Sequence, residues 1–119
     1  MTSDEEYPEE VHQVTSEYVE TRSHAWHHEG SNDQKRNRFE ILMVVDSEGR
    51  EFQPTWGEKP TELFPGVMAR EENGVQHLHI SRDVCPIRIL FRWYAEYVSY
   101  TDSEHNSSWT TYYWIRYVR

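Results

Sequence analysis

The sequence contains a single cysteine, Cys85, so no disulfide can form within its 119 residues. No apolar run approaches the roughly 20 residues that a membrane-spanning helix requires. Also absent are a phosphate-binding glycine loop, the cysteine spacing of a zinc ribbon, a nucleophile elbow and a dinucleotide fingerprint. We therefore expect neither a disulfide-stabilised scaffold nor a contact with membranes. Cys85 itself, next to Pro86, is expected to be a small buried residue at the start of a strand.

Apolar residues are scarce, at 36% of the chain, and the mean hydropathy is −0.93. Aromatic residues offset this scarcity, because the chain contains five Trp, eight Tyr and four Phe. Tyr and Trp score as polar on hydropathy scales, yet each buries a large area in a protein core. The composition therefore predicts a folded domain whose core is built on aromatic side chains.

Lys and Arg are missing from the first 20 positions, which carry seven acidic residues. This segment accounts for −7 of the formal net charge of −9 and leaves −2 for residues 21–119. We expect residues 1–12 to form an acidic arm and residues 13–119 a single β-rich domain. The arm is a solubilising tail, a docking element for a basic partner surface or a mimic of a phosphate backbone.

The acidic start is the opposite of the basic first region of a secretory signal. Together with the lone cysteine, it leads us to expect a soluble protein of the cytoplasm or of a particle assembled inside a cell. The sequence leaves the oligomeric state open, with a homo-oligomer among the alternatives.

The last third of the chain alternates in residue type with a period of two, which is typical of β-strands. Odd positions in residues 87–97 are mostly aliphatic or aromatic and are predicted to face the core. A polar break at residues 101–108 precedes a second aromatic run at residues 109–118. The two runs form a candidate β-hairpin.

A second hairpin is predicted around Asn73-Gly74, because this dipeptide strongly favours a two-residue turn between strands. Residues 67–70 and 75–81 are the expected strands. In that register one face of the hairpin is apolar and carries Val67, Ala69, Leu78 and Ile80. A shift by one residue would scramble the faces, so the pattern supports its own register.

The middle of the chain contains further short strands. Residues 39–45 are apolar on both faces apart from Glu40, which predicts a central strand covered on both sides. A turn at residues 46–49 leads to a partner strand at residues 50–53. We also predict a polar loop at 30–38, an edge strand at 62–64 and, in preference to a helix, a strand at 15–26. About six to eight short strands without a long helix predict an all-β fold, either an antiparallel β-sandwich or a small barrel.

The even positions of the C-terminal hairpin are the main candidate binding surface. They present an aromatic and basic face if the two strands pair so that the sets coincide, but the break is too long to fix the register. Such a face suits a protein partner, because Tyr, Trp and Arg dominate binding hot spots. It also suits stacked bases and phosphates, or it is covered by a second sheet. The negative net charge argues against nucleic acid, although the acidic arm could shield a basic face. The candidate residues are Arg88, Arg92, Tyr94, Tyr112, Trp114 and Arg116.

Two histidines, His77 and His79, lie two residues apart on a predicted strand and therefore on one face. Such a pair offers two imidazoles to one divalent metal, and a third ligand would complete an open site. The segment with His24, His27, His28 and Glu29 is a candidate source of that ligand. The alternative is that the pair is simply the solvent face of the hairpin.

We therefore expect a non-enzymatic binding protein, such as an inhibitor, an immunity-type protein or an assembly subunit. It would contact a protein partner through the aromatic and arginine-bearing hairpin face and through the acidic arm. The first alternative is an RNA or single-stranded nucleic-acid binder that uses the same face. The second is a small metal-dependent enzyme built on the His77–His79 strand; otherwise we expect no cofactor.

Overall fold

The computed structural model describes residues 7–21, 34–97 and 107–119. These residues form nine β-strands and a short 3₁₀ turn, which confirms the all-β prediction. The part of the chain that is described contains no helix with the length and apolar character needed to cross a membrane. The strands are β1 Glu9–Gln13, β2 Tyr18–Glu20, β3 Gln34–Val45, β4 Glu51–Phe52, β5 Thr61–Phe64, β6 Val67–Glu72, β7 Val75–Ser81, β8 Ile87–Tyr97 and β9 Ser107–Val118, and the 3₁₀ turn spans Arg82–Val84.

The strands are arranged in two sheets. The five-stranded sheet has the order β1-β9-β8-β3-β4, and the four-stranded sheet has the order β2-β7-β6-β5. Neighbouring strands are antiparallel except β1, which pairs parallel to β9 at the edge of the larger sheet. The edge strand expected at residues 62–64 is β5.

The core contains buried side chains from both sheets, as expected for two sheets packed face to face. Odd-numbered β8 residues from Ile87 to Trp93 are at most 5% exposed, which confirms that these side chains face the core as predicted. Phe91 and Tyr113 of β9 are register partners, and their stacked rings lie 5.3 Å apart. The smaller sheet contributes the four residues predicted for its apolar face, Val67, Ala69, Leu78 and Ile80.

The β6–β7 hairpin has the predicted register. Val67 is paired with Ile80 and Ala69 with Leu78. Asn73 and Gly74 form the two-residue loop with φ values of 54° and 77°. Positive φ at both loop positions is the backbone of a type I′ turn, which explains why this dipeptide specifies the hairpin.

The structure corrects two expectations for β3. Residues 34–38, predicted as part of a polar loop, continue the strand and pair with β8 as far as Tyr97. Their polarity does not oppose this, because the ladder is made by backbone groups. A register shift between Ile41 and Met43 leaves Met43 and Val45 partly exposed. The strand is therefore not fully covered on both sides.

The N-terminal segment is also organised differently from expectation. Within residues 15–26 the strand is short, Tyr18–Glu20, and residues 22–26 lie outside the described part of the chain. Residues 9–12, which fall in the predicted acidic arm, belong to β1 and pair with β9. The boundary between arm and domain stays a prediction.

Two glycines with positive φ give a matched test of the packing between β5, β6 and the 3₁₀ turn. A Cβ at Gly66 (φ +96°) would lie 2.4 Å from Cγ1 of Val84, whereas a Cβ at Gly49 (φ +84°) would meet nothing within 4 Å. We expect Gly49→Ala to lower the free energy of unfolding by about 1 kcal/mol through backbone strain alone. Gly66→Ala should cost roughly 1–3 kcal/mol more through the added clash. Urea unfolding of both variants measures the difference, and equal losses would contradict this account.

Candidate functional site

The β8–β9 register brings all six candidate binding residues to one surface. Arg88 lies opposite Arg116, Arg92 opposite Tyr112 and Leu90 opposite Trp114. Because side chains alternate along a strand, these even-numbered residues point away from the core that the odd-numbered residues form. We call the surface formed by Arg88, Arg92, Tyr94, Tyr112, Trp114 and Arg116 the outer face. Apart from Trp114 its residues are partly exposed.

Glu9 of β1 binds two arginines of the outer face at once. Its carboxylate accepts a hydrogen bond from Nε of Arg88 at 3.0 Å and another from Nε of Arg116 at 3.2 Å. The side chains keep access to solvent, with 25% of Arg88, 28% of Glu9 and 43% of Arg116 exposed, so water still screens these charges. One carboxylate thus compensates two guanidinium groups that face each other across the β8–β9 ladder.

Trp114 lies on the outer face but is only 3% exposed. The guanidinium carbon of Arg88 lies 4.1 Å from the centroid of its ring, which is a cation–π contact. The backbone N–H of Trp114 donates to the carbonyl oxygen of Pro8 at 2.8 Å. Its buried indole Nε1 has no hydrogen-bond partner among the described residues. The outer face therefore has an apolar centre under the arginine.

The other half of the outer face is held by Arg92 and Tyr112. Arg92 donates to the carboxylate of Glu40, its register partner on β3. The hydrogen bond to Glu40 raises the pKa of Arg92 above its ordinary value, against a smaller opposing effect of partial burial. Tyr7 stacks on Tyr112 with ring centroids 5.3 Å apart. Both halves of the surface thus have side chains fixed by neighbours.

No pattern in the sequence indicated that Tyr7, Glu9 and Glu40 belong to this surface. Glu9 lies 79 residues before Arg88 and 107 before Arg116, and Glu40 lies 52 before Arg92. Only the block of acidic residues near the chain start pointed in this direction, as a segment able to shield a basic face. Finding the individual partners required the β1–β9 and β3–β8 registers.

The second candidate site is on the four-stranded sheet, on the face opposite the core. His77 and His79 of β7 both lie beside Glu20 of β2. The Glu20 carboxylate is hydrogen-bonded to Nδ1 of His77 and lies 3.6 Å from Nε2 of His79. Sequence reasoning missed Glu20, because β2 and β7 meet only in the folded sheet.

Metal binding at His77 and His79 stays a prediction. Among residues 7–21, 34–97 and 107–119, no group of three or more His, Cys, Asp or Glu side chains is arranged to hold a metal ion. The proposed additional ligands, His24, His27, His28 and Glu29, lie outside the described residues.

Cys85 is buried two residues before the start of β8, as expected. Its Sγ lies 3.9 Å from the carbonyl oxygen of Ser81. Burial raises the pKa of the Cys85 thiol, with a smaller opposing effect from the positive charge of Arg119. A protonated, buried thiol is a poor nucleophile, so Cys85 has a packing role.

No family model, curated protein or solved structure matches this chain.

The Glu20 contacts predict a pH-dependent contribution to stability. Partial burial opposes ionisation of Glu20, but hydrogen bonding and positive charge from His77 and His79 outweigh it and lower the pKa of Glu20 below its ordinary value of 4.5. A carboxylate whose pKa is lower in the folded state stabilises the fold fully above the unfolded-state pKa. That stabilisation is lost as the pH falls through the folded-state value.

Glu20→Gln should therefore be less stable than the wild type at pH 6, and the difference should shrink as the pH falls below 4.5. Urea unfolding between pH 3 and 6 measures this difference. Glu62→Gln, which removes an exposed carboxylate from β5 of the same sheet, is the control and should follow the wild-type curve. A Glu20→Gln deficit that stays constant down to pH 3 would rule out the assigned role of the carboxylate.

Proposed function

We propose that this chain is a non-enzymatic binding domain whose outer face contacts a protein partner, with the acidic N-terminal segment taking part. The observation that carries the proposal is the alignment of three arginines and three aromatic residues on one surface of the larger sheet. Tyr, Trp and Arg are the residue types that most often dominate protein-binding energy.

The charge balance of the outer face favours a protein over a nucleic acid. Arg88 and Arg116 are paired with Glu9, and Arg92 is paired with Glu40. Nucleic-acid affinity depends largely on cations that neutralise phosphates. A nucleic acid would have to put phosphates in place of these carboxylates, whereas a protein can complement the mixed charges as they stand or exchange Glu9 for a carboxylate of its own.

The fixed side chains also favour tight binding. Arg88 is held by Glu9 and by the Trp114 ring, and Tyr112 is stacked on Tyr7. Side chains that are already ordered lose less conformational entropy when a partner binds. An inhibitor, an immunity-type protein and an assembly subunit would all use such a preorganised surface, and a second copy of the chain is the homo-oligomeric version.

The alternative function is binding of RNA or single-stranded nucleic acid. It is favoured by Tyr94, Arg92 and Tyr112, which lie next to one another on the partly exposed end of the outer face. Bases stack on aromatic side chains carried by β-sheets, and arginine supplies the phosphate contact. This function requires affinity to fall steeply as salt is raised.

Affinity capture from cells that naturally express the protein tests the proposal. Tyr94→Ala and Tyr112→Ala should each weaken retention of the bound protein by at least about tenfold, because a hot-spot side chain is lost. The matched control is Tyr18→Ala, which removes an exposed tyrosine from the four-stranded sheet. The affinity of the purified partner for each variant, measured by calorimetry, gives the magnitude.

Two results would argue against a protein partner. Equal retention by the wild type, both outer-face variants and the control would show that this surface does not bind the captured protein. Loss of retention after nuclease treatment, together with retardation of an RNA oligonucleotide at low salt, would favour the nucleic-acid alternative.

A further inference from the structure

Strand β1 pairs with the outer edge of β9 in the way that an added extended peptide would. It runs parallel to β9, with Glu9 opposite Trp114 and Gln13 opposite Val118. The backbone contacts continue beyond the strand, because Trp114 N–H donates to the Pro8 carbonyl at 2.8 Å and Val14 N–H donates to the Val118 carbonyl at 2.6 Å. Main-chain pairing at a sheet edge is one of the common modes of peptide recognition.

Alternate side chains of this segment are recognised by the outer face. Tyr7 stacks on Tyr112, and Glu9, two residues later, binds Arg88 and Arg116. In peptide recognition by strand addition, backbone bonds supply affinity and sites for alternate side chains supply specificity. The segment therefore shows which ligand the site accepts: an extended strand with an aromatic residue two positions before a carboxylate.

The segment contributes little to the hydrophobic core. Four of the five β1 residues are exposed, and Val11 is 62% exposed. From Tyr7 onward, the first buried residue that the structure describes is Val14, which follows the end of the strand. Leaving the β9 edge would thus break hydrogen bonds and ion pairs that a second peptide could restore, together with the stack of His12 on the buried ring of Tyr117.

We propose that the β9 edge, with Arg88, Arg116 and Tyr112, is a recognition site for an extended acidic segment of a partner protein, and that residues 7–13 occupy it as a built-in competitor. We call this the β9-edge site. The proposal rests on the proposed protein-binding function and names the chemistry of the partner. Two guanidinium groups converging on one carboxylate provide the charge complementarity, and the β9 backbone requires a peptide rather than a nucleic acid.

A tethered competitor sets the design of the test. A segment joined to its own site acts at an effective concentration of roughly millimolar, so an added peptide binds the wild type weakly. Weakening the tethered copy at Glu9 should open the site. Glu10 supplies the matched control, because its carboxylate lies next to His12 instead, 3.3 Å from Nε2.

The probe is a fluorescent peptide with the sequence of residues 5–14, titrated against the full-length chain and followed by anisotropy. Glu9→Gln should bind it about tenfold more tightly than the wild type, since the competitor loses the charge that pairs with Arg88 and Arg116. Glu10→Gln should bind it as the wild type does. A peptide that itself carries Glu9→Gln should lose about tenfold in affinity for the Glu9→Gln chain.

A second variant tests the proposal independently, in case Glu9→Gln fails to fold. Tyr7→Ala removes the stacking contact without changing charge and should also increase peptide uptake, while its circular dichroism spectrum stays that of the wild type. Equal peptide binding by all chains, or none by any, would overturn the proposal. Concentration-dependent dimerisation of Glu9→Gln without increased peptide uptake would overturn it too, because the occupant would then be a second copy.

The outcome separates this inference from the proposed function. If no variant takes up the peptide but Tyr94→Ala still abolishes partner capture, the β9-edge site is wrong and the binding surface stands. If the peptide binds as expected but the outer-face variants do not change partner capture, the β9 edge binds only the chain's own residues 7–13. The proposed protein partner is then ruled out, and so is this inference.

Discussion

The pairing of β8 with β9 is the constraint on which the rest of the structure depends. One register places Phe91 against Tyr113 on the inside and Arg88 against Arg116 on the outside. The inner set builds the aromatic core that lets so hydrophilic a chain fold, and the outer set builds the candidate binding surface. Because side chains alternate strictly, neither set can move without the other.

This register brings two positive charges together, and the N-terminal segment compensates them. Like charges directly opposite each other on antiparallel strands are destabilising, and Arg88 and Arg116 are in that position. Glu9 places one carboxylate between them, so a repulsive pair becomes a three-residue cluster with both arginines hydrogen-bonded. The attachment of β1 and the stability of the hairpin are therefore coupled. A ligand that replaces Glu9 must supply a carboxylate of its own.

The sequence predicted those parts of the fold that are specified locally. Alternation fixed the inner residues of β8, and Asn73-Gly74 fixed the β6–β7 hairpin with its register. The sequence also singled out the six candidate residues of the outer face, but it did not show that they lie on one surface. The missing information was long-range: Glu20 lies 57 residues from His77, and Glu9 lies farther still from its arginines. Edge strands as short as β2 contain too few residues for a sequence pattern to predict which strand they pair with.

The acidic N-terminal block has a structural meaning once both sheets are compared. Glu9 joins β1 to arginines of the larger sheet, and Glu20 joins β2 to histidines of the smaller one. Each is a short edge strand tied to its neighbour by one carboxylate. The two ties differ in chemistry, because Glu9 is shared by two guanidinium groups and Glu20 by two imidazoles. The contacts with His77 and His79 lower the pKa of Glu20, so the attachment of β2 weakens as the pH falls through that lowered value.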